Sequence, residues 1–317
     1  MDSQYLLGSV TIPTAYQCRN CGSNDLRELG FIGILAGFFL KRIFHAEITT
    51  RISTSPKKRK LQTLSAPLQR LLGRLHPPGV AVEVQSCQNC SFIQTKFPFA
   101  DDAISRLYVD YRSESYNRER CHYEPQYANI QSAVGGHTES GLGRIEALTT
   151  WVKSRVDGTL TSMLDFGGAD GKYLPDLPGQ RFVYEVSDAV PAPGVARIPD
   201  ESSLKTYDYV QLSHVLEHVP QPLGLTMRVA ELVNPKGYLL IEVPQDLSAE
   251  QLRALQKGQT VGSLSIHEHI NFYSVTAIEK LIQAAGLDIV TVEAVPVVSP
   301  MARQFFIRGL AKKPAVS

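Results

Sequence analysis

The order of segments in the second half of the chain constrains its fold most strongly. After residue 141, short apolar runs typical of strands alternate with segments in which apolar residues recur at helical spacing. Strands that alternate with helices build a parallel sheet, because each helix returns the chain to the same edge. The sequence therefore predicts an α/β fold. The predicted elements are helices over 142–156, from Pro222 to a stop at Asn234–Gly237, and over 275–286, and strands over 161–168, 181–187, 207–213, 238–244, 287–295 and 302–310.

Composition changes near residue 140, and this change divides the chain. With 317 residues, of which 43% are hydrophobic and 20% charged, the chain is long enough for two modest globular domains. We predict a cysteine-rich, zinc-binding module over 1–100 with an insertion at 22–86, a tyrosine-rich connecting segment over 101–141, and an α/β domain over 142–317.

Charge and the first residues bear on partners and location. The formal net charge of +1 gives no overall attraction to nucleic acid, so no such partner is expected. The opening residues lack a basic start followed by a long apolar run, and a cytoplasmic location is therefore the expectation.

Four of the five cysteines form two CxxC pairs, Cys18 with Cys21 and Cys87 with Cys90. In a chain without an export signal, this spacing favours metal thiolates over disulfides. A structural zinc ion needs four tetrahedral ligands, which the two pairs together supply. Four reduced structural cysteines are the alternative, and Cys121 is expected to be free.

The insertion contains an apolar run, residues 29–40, followed by Lys41 and Arg42. Twelve residues of helix reach only ~18 Å, which is short of a ~30 Å hydrocarbon core. A full membrane span is therefore not expected. An apolar patch beside basic residues can hold a protein on anionic lipid, so peripheral membrane contact through 29–60 is a hypothesis, with a solvated basic loop as its alternative.

The glycine-rich stretch "LDFGGADG", residues 164–171, follows a predicted strand and precedes a predicted helix. Its spacing departs from GxGxxG, so it does not indicate a pyrophosphate cradle. Glu185 lies near the end of the next strand, where a carboxylate can accept hydrogen bonds from both ribose hydroxyls. Loop and carboxylate together indicate a nucleoside ligand.

Three stretches carry a family resemblance: "MLDFGGADGKYL", "YDYVQLSHVLEHVPQPLGLTMRVAELVNPKGYLLIEVP" and "HEHINFYSVTAIEKLIQAAGLDIV". With them the chain resembles the class I S-adenosylmethionine-dependent methyltransferases. The resemblance implies a Rossmann-like sheet of seven strands with helices on both faces, a final antiparallel hairpin, and S-adenosylmethionine as cofactor. Ala169 stands where glycine is more usual, which is tolerable if its φ is negative. The cofactor-binding residues that the resemblance implies are Asp165, Gly167, Gly168, Gly171, Glu185, Asp200 near the adenine, and Ser213.

Histidines follow two strands that are expected to be neighbours, in "SHVLEHV" (213–219) and in residues 244–274. The carboxyl ends of parallel strands meet at one crevice, where these loops would converge. The chain is similar to sugar C-methyltransferases that carry a cysteine-rich zinc domain and use a His/Glu pair. That similarity implies His269 as general base with Glu268, and our hypothesis is that His214 or Tyr273 positions the acceptor. It also implies that the tyrosines of 101–141 cover the acceptor site; the alternative is that they fill the interface between the domains. Alternatively, His269 only binds backbone ahead of a helix capped by Ser274.

The predicted function is methyl transfer to a small-molecule or glycan acceptor, namely a sugar that is either nucleotide-linked or part of a surface glycan. O-methylation of a small aromatic or quinone is one alternative, because Glu217 and His218 resemble the metal-binding segment of quinone-pathway O-methyltransferases. The other alternative is a non-catalytic scaffold that keeps the fold and binds a membrane or a partner.

Overall fold

A computed structural model describes the protein over residues 17–35, 37–44, 80–96, 99–111, 113–125, 127–128, 139–261, 269–298 and 303–315. The helices are α1 (Gly37–Phe44), α2 (Asp101–Leu107), α3 (Glu114–Tyr123), α4 (Glu139–Lys153), α5 (Pro222–Glu231), α6 (Ala249–Gln256) and α7 (Val275–Ala284). The strands are β1 (Leu26–Leu35), β2 (Val80–Cys87), β3 (Ile93–Thr95), β4 (Ser162–Phe166), β5 (Gln180–Tyr184), β6 (Val195–Ile198), β7 (Tyr207–Ser213), β8 (Val233–Pro244), β9 (Thr260–Val261), β10 (Asn271–Phe272), β11 (Asp288–Val298) and β12 (Arg303–Lys312). None of these helices is both long and apolar enough to cross a bilayer.

The larger sheet has seven strands in the order β11-β12-β8-β7-β4-β5-β6. Five neighbouring strands run parallel, in the sheet order β8, β7, β4, β5 and β6. Strand β12 pairs antiparallel with both β8 and β11. The α/β fold, the seven strands and the final antiparallel hairpin are confirmed. Because β4, β5, β6, β7 and β8 are parallel, their carboxyl ends lie along one edge of the sheet.

Successive residues of the central strands point to opposite faces of this sheet, and both faces are covered. Leu164 and Val210 belong to a core shared with α5 and α7, whereas Met163 and Tyr209 belong to a core shared with α4. This two-sided burial explains why the strands read as continuous apolar runs in the sequence.

Two details of the sheet differ from the sequence prediction. Strand β8 begins at Val233 and continues through Asn234–Gly237, because Tyr207 pairs with Val233 and Tyr209 with Tyr238, which leaves the residues between them as a bulge. The helix expected after the glycine loop is replaced by turns between β4 and β5. Prolines in "YLPDLPG" deny that segment the backbone donors of a helix.

The smaller sheet has five strands in the order β10-β3-β2-β1-β9. Strands β1, β2 and β3 come from the cysteine-rich part, while β9 and β10 come from the segment that follows β8. Leu255 of α6 packs in the same core as Ile32 of β1 and Val84 of β2. The segment after β8 is thus built onto the cysteine-rich part, which the sequence did not predict.

The apolar run 29–40 is divided between β1 and α1. Ile32, Phe38 and Phe39 have 0% exposure, and Tyr116 and Tyr127 pack beside the two phenylalanines. These side chains are therefore used inside the protein and are not available to lipid. Residues 45–60 lie outside the described part of the chain, so membrane contact through them stays a prediction.

Candidate active site and cysteine cluster

The glycine loop begins directly after β4 and passes over a buried carboxylate. Gly167 and Gly171 have φ of +76° and +71°, a backbone conformation that favours glycine. A Cβ on Gly168 would lie 1.9 Å from the Cγ of Asp165, so only glycine fits there. The three glycines therefore shape a backbone surface at the carboxyl edge of the sheet that a ligand can approach closely.

Asp165 lies beneath this loop with 1% exposure. Its Oδ1 has no hydrogen-bond partner within the described part of the chain. Burial raises the pKa of this carboxyl to about 7, and the charge of Arg144 offsets only part of that effect. Asp165 thus supports the loop from below, and its predicted contact with a cofactor remains a prediction.

Glu185 follows β5 and ties the loop to the strand end. Its Oε2 accepts a hydrogen bond from the Ala169 backbone N–H at 2.9 Å, and its Oε1 accepts one from Ser187 N–H at 2.9 Å. Each carboxylate oxygen keeps a second lone pair, so both can still accept a ribose hydroxyl. Ala169 has φ of +53°, so the condition of a negative φ is not met, and the bond to Glu185 helps to hold this strained conformation.

Asp200 follows β6 at the same edge of the sheet, as the prediction of an adenine contact requires. Its Oδ1 accepts hydrogen bonds from the Ser202 hydroxyl at 2.5 Å and from the Ser203 N–H at 3.0 Å. The carboxylate therefore caps a short 3-10 turn. The hydrogen bonds do not identify a further role for its second oxygen.

A buried ion cluster lies where β7 and β8 end. Glu242, with 0% exposure, is bound by Arg308 Nε at 2.6 Å and by Arg144 Nη2 at 2.5 Å. Burial would raise the pKa of Glu242, but Arg144 and Arg308 hold it below its usual value. The Ser213 hydroxyl donates to Glu242 at 3.0 Å, so this predicted cofactor ligand is part of the ion cluster.

His214, the first residue after β7, has φ of +55°, and its N–H donates to the Glu242 carbonyl at 2.9 Å. Its Nδ1 lies 3.1 Å from Oε1 of Glu217, and its ring packs on Phe306. Glu217 has 0% exposure. Burial acts to raise its pKa, but the hydrogen bond with His214 and the nearby His218 lower it to about 2. An ionised carboxylate is thus held among histidines.

His269 lies beside this group. Its Nδ1 is 2.8 Å from Oδ2 of Asp246, and its ring meets that of His218 at 4.8 Å between centroids. Ligand atoms of Glu217, His218 and His269 all lie within 4.8 Å of one another, close enough to share a metal ion. Tyr108 of the connecting segment packs on His218, at 6.0 Å between ring centroids. These side chains form what we call the histidine cluster, which comprises His214, Glu217, His218, Asp246 and His269.

The predicted catalytic residues thus fall into three groups. His214 and His269 are brought together, as expected from the adjacent strands. Glu268 lies outside the described residues. Among the described residues Asp246 contacts His269 with its carboxylate, and the sequence reasoning missed it. Its only signal was its place just after β8.

The structure does not agree with the prediction that Tyr273 positions the acceptor. Its side chain is 6% exposed, and its hydroxyl donates to the Leu216 carbonyl at 3.1 Å. The ring packs on Phe92, next to the second cysteine pair. Tyr273 therefore supports the loop after β7 from the core side, because its hydroxyl is committed to the backbone.

The four cysteines meet in one cluster. The Sγ atoms of Cys18 and Cys90 are 3.6 Å apart, those of Cys21 and Cys87 are 3.7 Å apart, and all four lie within 4.8 Å of one another. A tetrahedral ion with Zn–S bonds of ~2.3 Å needs sulfurs ~3.8 Å apart. Contact with Cys18 lowers the pKa of the Cys90 thiol, which favours a thiolate. The cluster fits zinc, and the predicted metal ligands Cys18, Cys21, Cys87 and Cys90 come together as expected.

Comparison with known proteins agrees with this geometry. Residues 143–292 match the family model described as "Methyltransferase domain". The chain contains a class I S-adenosylmethionine-dependent methyltransferase domain. No curated protein matches the chain.

Two solved structures illustrate the similarity. The first is the 1,6-didemethyltoxoflavin-N1-methyltransferase of Burkholderia thailandensis with bound S-adenosylhomocysteine: it is 13% identical, with a TM-score of 0.46 over 75% of this chain and 99% of that one. The second is the N-methyltransferase NodS of Bradyrhizobium japonicum in complex with S-adenosylhomocysteine. It is 14% identical, with a TM-score of 0.39 over 60% of this chain and 98% of that one.

Proposed function

We propose that the protein transfers a methyl group from S-adenosylmethionine to a sugar acceptor, nucleotide-linked or part of a surface glycan, with His269 as general base. The contact of 2.8 Å between His269 Nδ1 and Asp246 carries this proposal. A carboxylate on Nδ1 fixes the tautomer and orientation of the ring, and in that tautomer Nε2 is the basic nitrogen.

Methyl transfer from a sulfonium requires an aligned, deprotonated nucleophile more than it requires help for the leaving group. A base at the carboxyl edge of β7 and β8 suits this requirement, because the glycine loop after β4 faces the same edge. When bound there, S-adenosylmethionine supplies the electrophilic methyl group. The loop, Glu185 and Ser213 would frame the cofactor, and the histidine cluster would face the acceptor.

Two features support a sugar. Aromatic rings and charged hydrogen-bonding groups are the usual partners of sugars, and Tyr108 of the connecting segment packs directly on His218. The cysteine cluster precedes the methyltransferase domain, as in the sugar C-methyltransferases that the sequence resembles.

A second candidate is O-methylation of a small aromatic or quinone. It is favoured by the convergence of Glu217, His218 and His269 within 4.8 Å, which suits a divalent metal ion. Such an ion would lower the pKa of an acceptor hydroxyl.

The test is incubation of the full chain with methyl-labelled cofactor and a panel of nucleotide sugars and catechols, followed by locating the label. His269→Asn should keep its affinity for S-adenosylhomocysteine and lose about 10²- to 10⁴-fold in turnover. His122→Asn, on α3, is the matched control. Full turnover in His269→Asn would reject the base.

Metal analysis of His269→Asn and of a further variant, His218→Asn, separates the two candidates. If His218→Asn and His269→Asn hold as much metal per chain as the wild type, the histidine cluster binds no ion and the metal-assisted candidate fails. Loss of one ion per chain in both variants would favour it over the proposed base.

A further inference from the structure

The first cysteine knuckle, residues 18–21, is linked to the methyltransferase domain by the two residues between its cysteines, and Asn20 Nδ2 also donates to the Cys90 Sγ at 3.7 Å. Asn20, with 0% exposure, donates from Nδ2 to the Ala277 carbonyl of α7 at 2.8 Å. The Arg19 carbonyl accepts a hydrogen bond from Leu223 N–H of α5 at 3.2 Å. Buried polar groups that bind another segment's backbone fix the geometry of both segments. The first cysteine knuckle is therefore locked to the domain.

The side chain of Arg19 extends this connection to the histidine cluster. It is 8% exposed, and its Nη2 donates to the Thr95 carbonyl at 3.2 Å and to the Ile270 carbonyl at 3.4 Å. Burial lowers the pKa of Arg19 to about 10, so the guanidinium stays charged at neutral pH. Hydrogen bonds from a charged donor are stronger than neutral ones. Arg19 thus binds the residue that follows His269.

The same residue is held from the other side by the loop after β7. The Ile270 N–H donates to the Glu217 carbonyl at 2.9 Å, and the Thr95 N–H donates to the Ile270 carbonyl at 3.1 Å. The side chain of Asn271 adds hydrogen bonds to the carbonyls of Leu216 and Val219. The backbone beside His269 therefore lies between the cysteine knuckle and the loop that carries Glu217 and His218.

We propose that Arg19 is a positioning residue for His269, and that through it metal occupancy of the cysteine cluster sets the geometry of the histidine cluster. Ordered thiolates fix the knuckle, the knuckle fixes Arg19, and Arg19 fixes the carbonyl of Ile270. The effect of Arg19 on catalysis rests on the proposed function, because it assumes that His269 is the base. The structural coupling does not depend on it.

The experiment compares Arg19→Gln with the wild type and needs no acceptor. Hydrogen exchange over 269–273 and the NMR signal of the His269 ring are measured on full-length, zinc-loaded protein. We expect exchange of the Asn271 and Ile270 amides to be about ten- to a hundredfold faster, with a shifted ring signal. Metal content and affinity for S-adenosylhomocysteine should stay unchanged. Arg19→Lys should restore part of the protection, because it keeps a charged donor.

Arg106→Gln is the matched control, since this arginine also donates to a backbone carbonyl of the cysteine-rich part, that of Ile43 at 2.9 Å. It should leave residues 269–273 unchanged. If Arg19→Gln does not fold, Arg19→Lys gives the same test with a smaller expected change: exchange of the Ile270 and Asn271 amides should be faster than in the wild type at equal metal content. Unchanged exchange and an unchanged ring signal would overturn the proposal. Full turnover in His269→Asn would instead reject the base and leave the coupling intact.

Discussion

The cysteine cluster and the histidine cluster both gather groups that can bind metal, but they are built differently. The cysteine cluster has four identical ligands from two short knuckles, three of them buried, which is typical of a closed structural site. The histidine cluster mixes acids and bases from loops after β7 and β8. Its His214 and His218 side chains keep 28% and 17% exposure. Identical, enclosed ligands suit folding, whereas mixed and partly accessible groups suit proton transfer.

The largest effect that separates the two clusters is expected from Cys90→Ser. Structural zinc contributes folding free energy on the order of 10 kcal/mol, so this variant should lose the ion and much of the stability of the five-stranded sheet. Elemental analysis and thermal unfolding measure both losses. Cys121→Ser, which changes a half-buried cysteine outside the cluster, should alter neither. A wild type purified without zinc and with four titratable cluster thiols would contradict this part of the comparison.

A second prediction concerns the carboxylates of the methyltransferase domain. Glu217 and Glu242 have cationic partners, whereas burial raises the pKa of Asp165 to about 7. The folded state therefore binds a proton at Asp165 that the unfolded state has already released between about pH 4 and pH 7. Wild-type stability should fall across that window relative to Asp165→Asn.

The pH-dependent part of the difference in unfolding free energy between the two proteins should be absent below pH 4 and reach about 4 kcal/mol above pH 7. Urea unfolding of both proteins at several pH values measures it. A constant difference between the two proteins across the window would show that Asp165 does not titrate as its burial indicates.

The smallest effect is expected in the glycine loop. Ala169 has a positive φ, so Ala169→Gly should relieve strain and stabilise the protein by up to about 1 kcal/mol. Gly167→Ala is the matched opposite change, because its Cβ would meet Val215 at 3.0 Å and its φ is +76°. It should destabilise. Denaturant unfolding at one pH compares them, and equal signs for the two changes would refute the strain.

Sequence reasoning found the features that are periodic or locally spaced. Strand β7 and helix α7 were predicted from apolar patterning, and the cysteine cluster from its CxxC pairs. Strands β9 and β10 have two residues each, too few to show a period. Their existence depends on pairing with β1 and β3, which lie far away in the sequence.

The site was only partly predictable, because local patterns reveal single residues but not their distant partners. The histidines stood out because they follow predicted strands, but their partners come from other elements. Glu242 was hidden inside the apolar run of β8, although a charged residue in a buried strand is itself a signal of an ion pair. Asp246 carried no motif, and only the folded loop brings it to His269.

The loop after β4 and Glu185 are proposed to bind the nucleoside cofactor of a methyltransferase. Titration calorimetry with S-adenosylhomocysteine on the wild type, Glu185→Ala and Glu293→Ala tests it directly. We expect one binding site per chain, an affinity at least about tenfold weaker in Glu185→Ala, where two ribose hydrogen bonds are lost, and no change in Glu293→Ala on β11. No binding to the wild type, or equal affinity in wild type and Glu185→Ala, would contradict it.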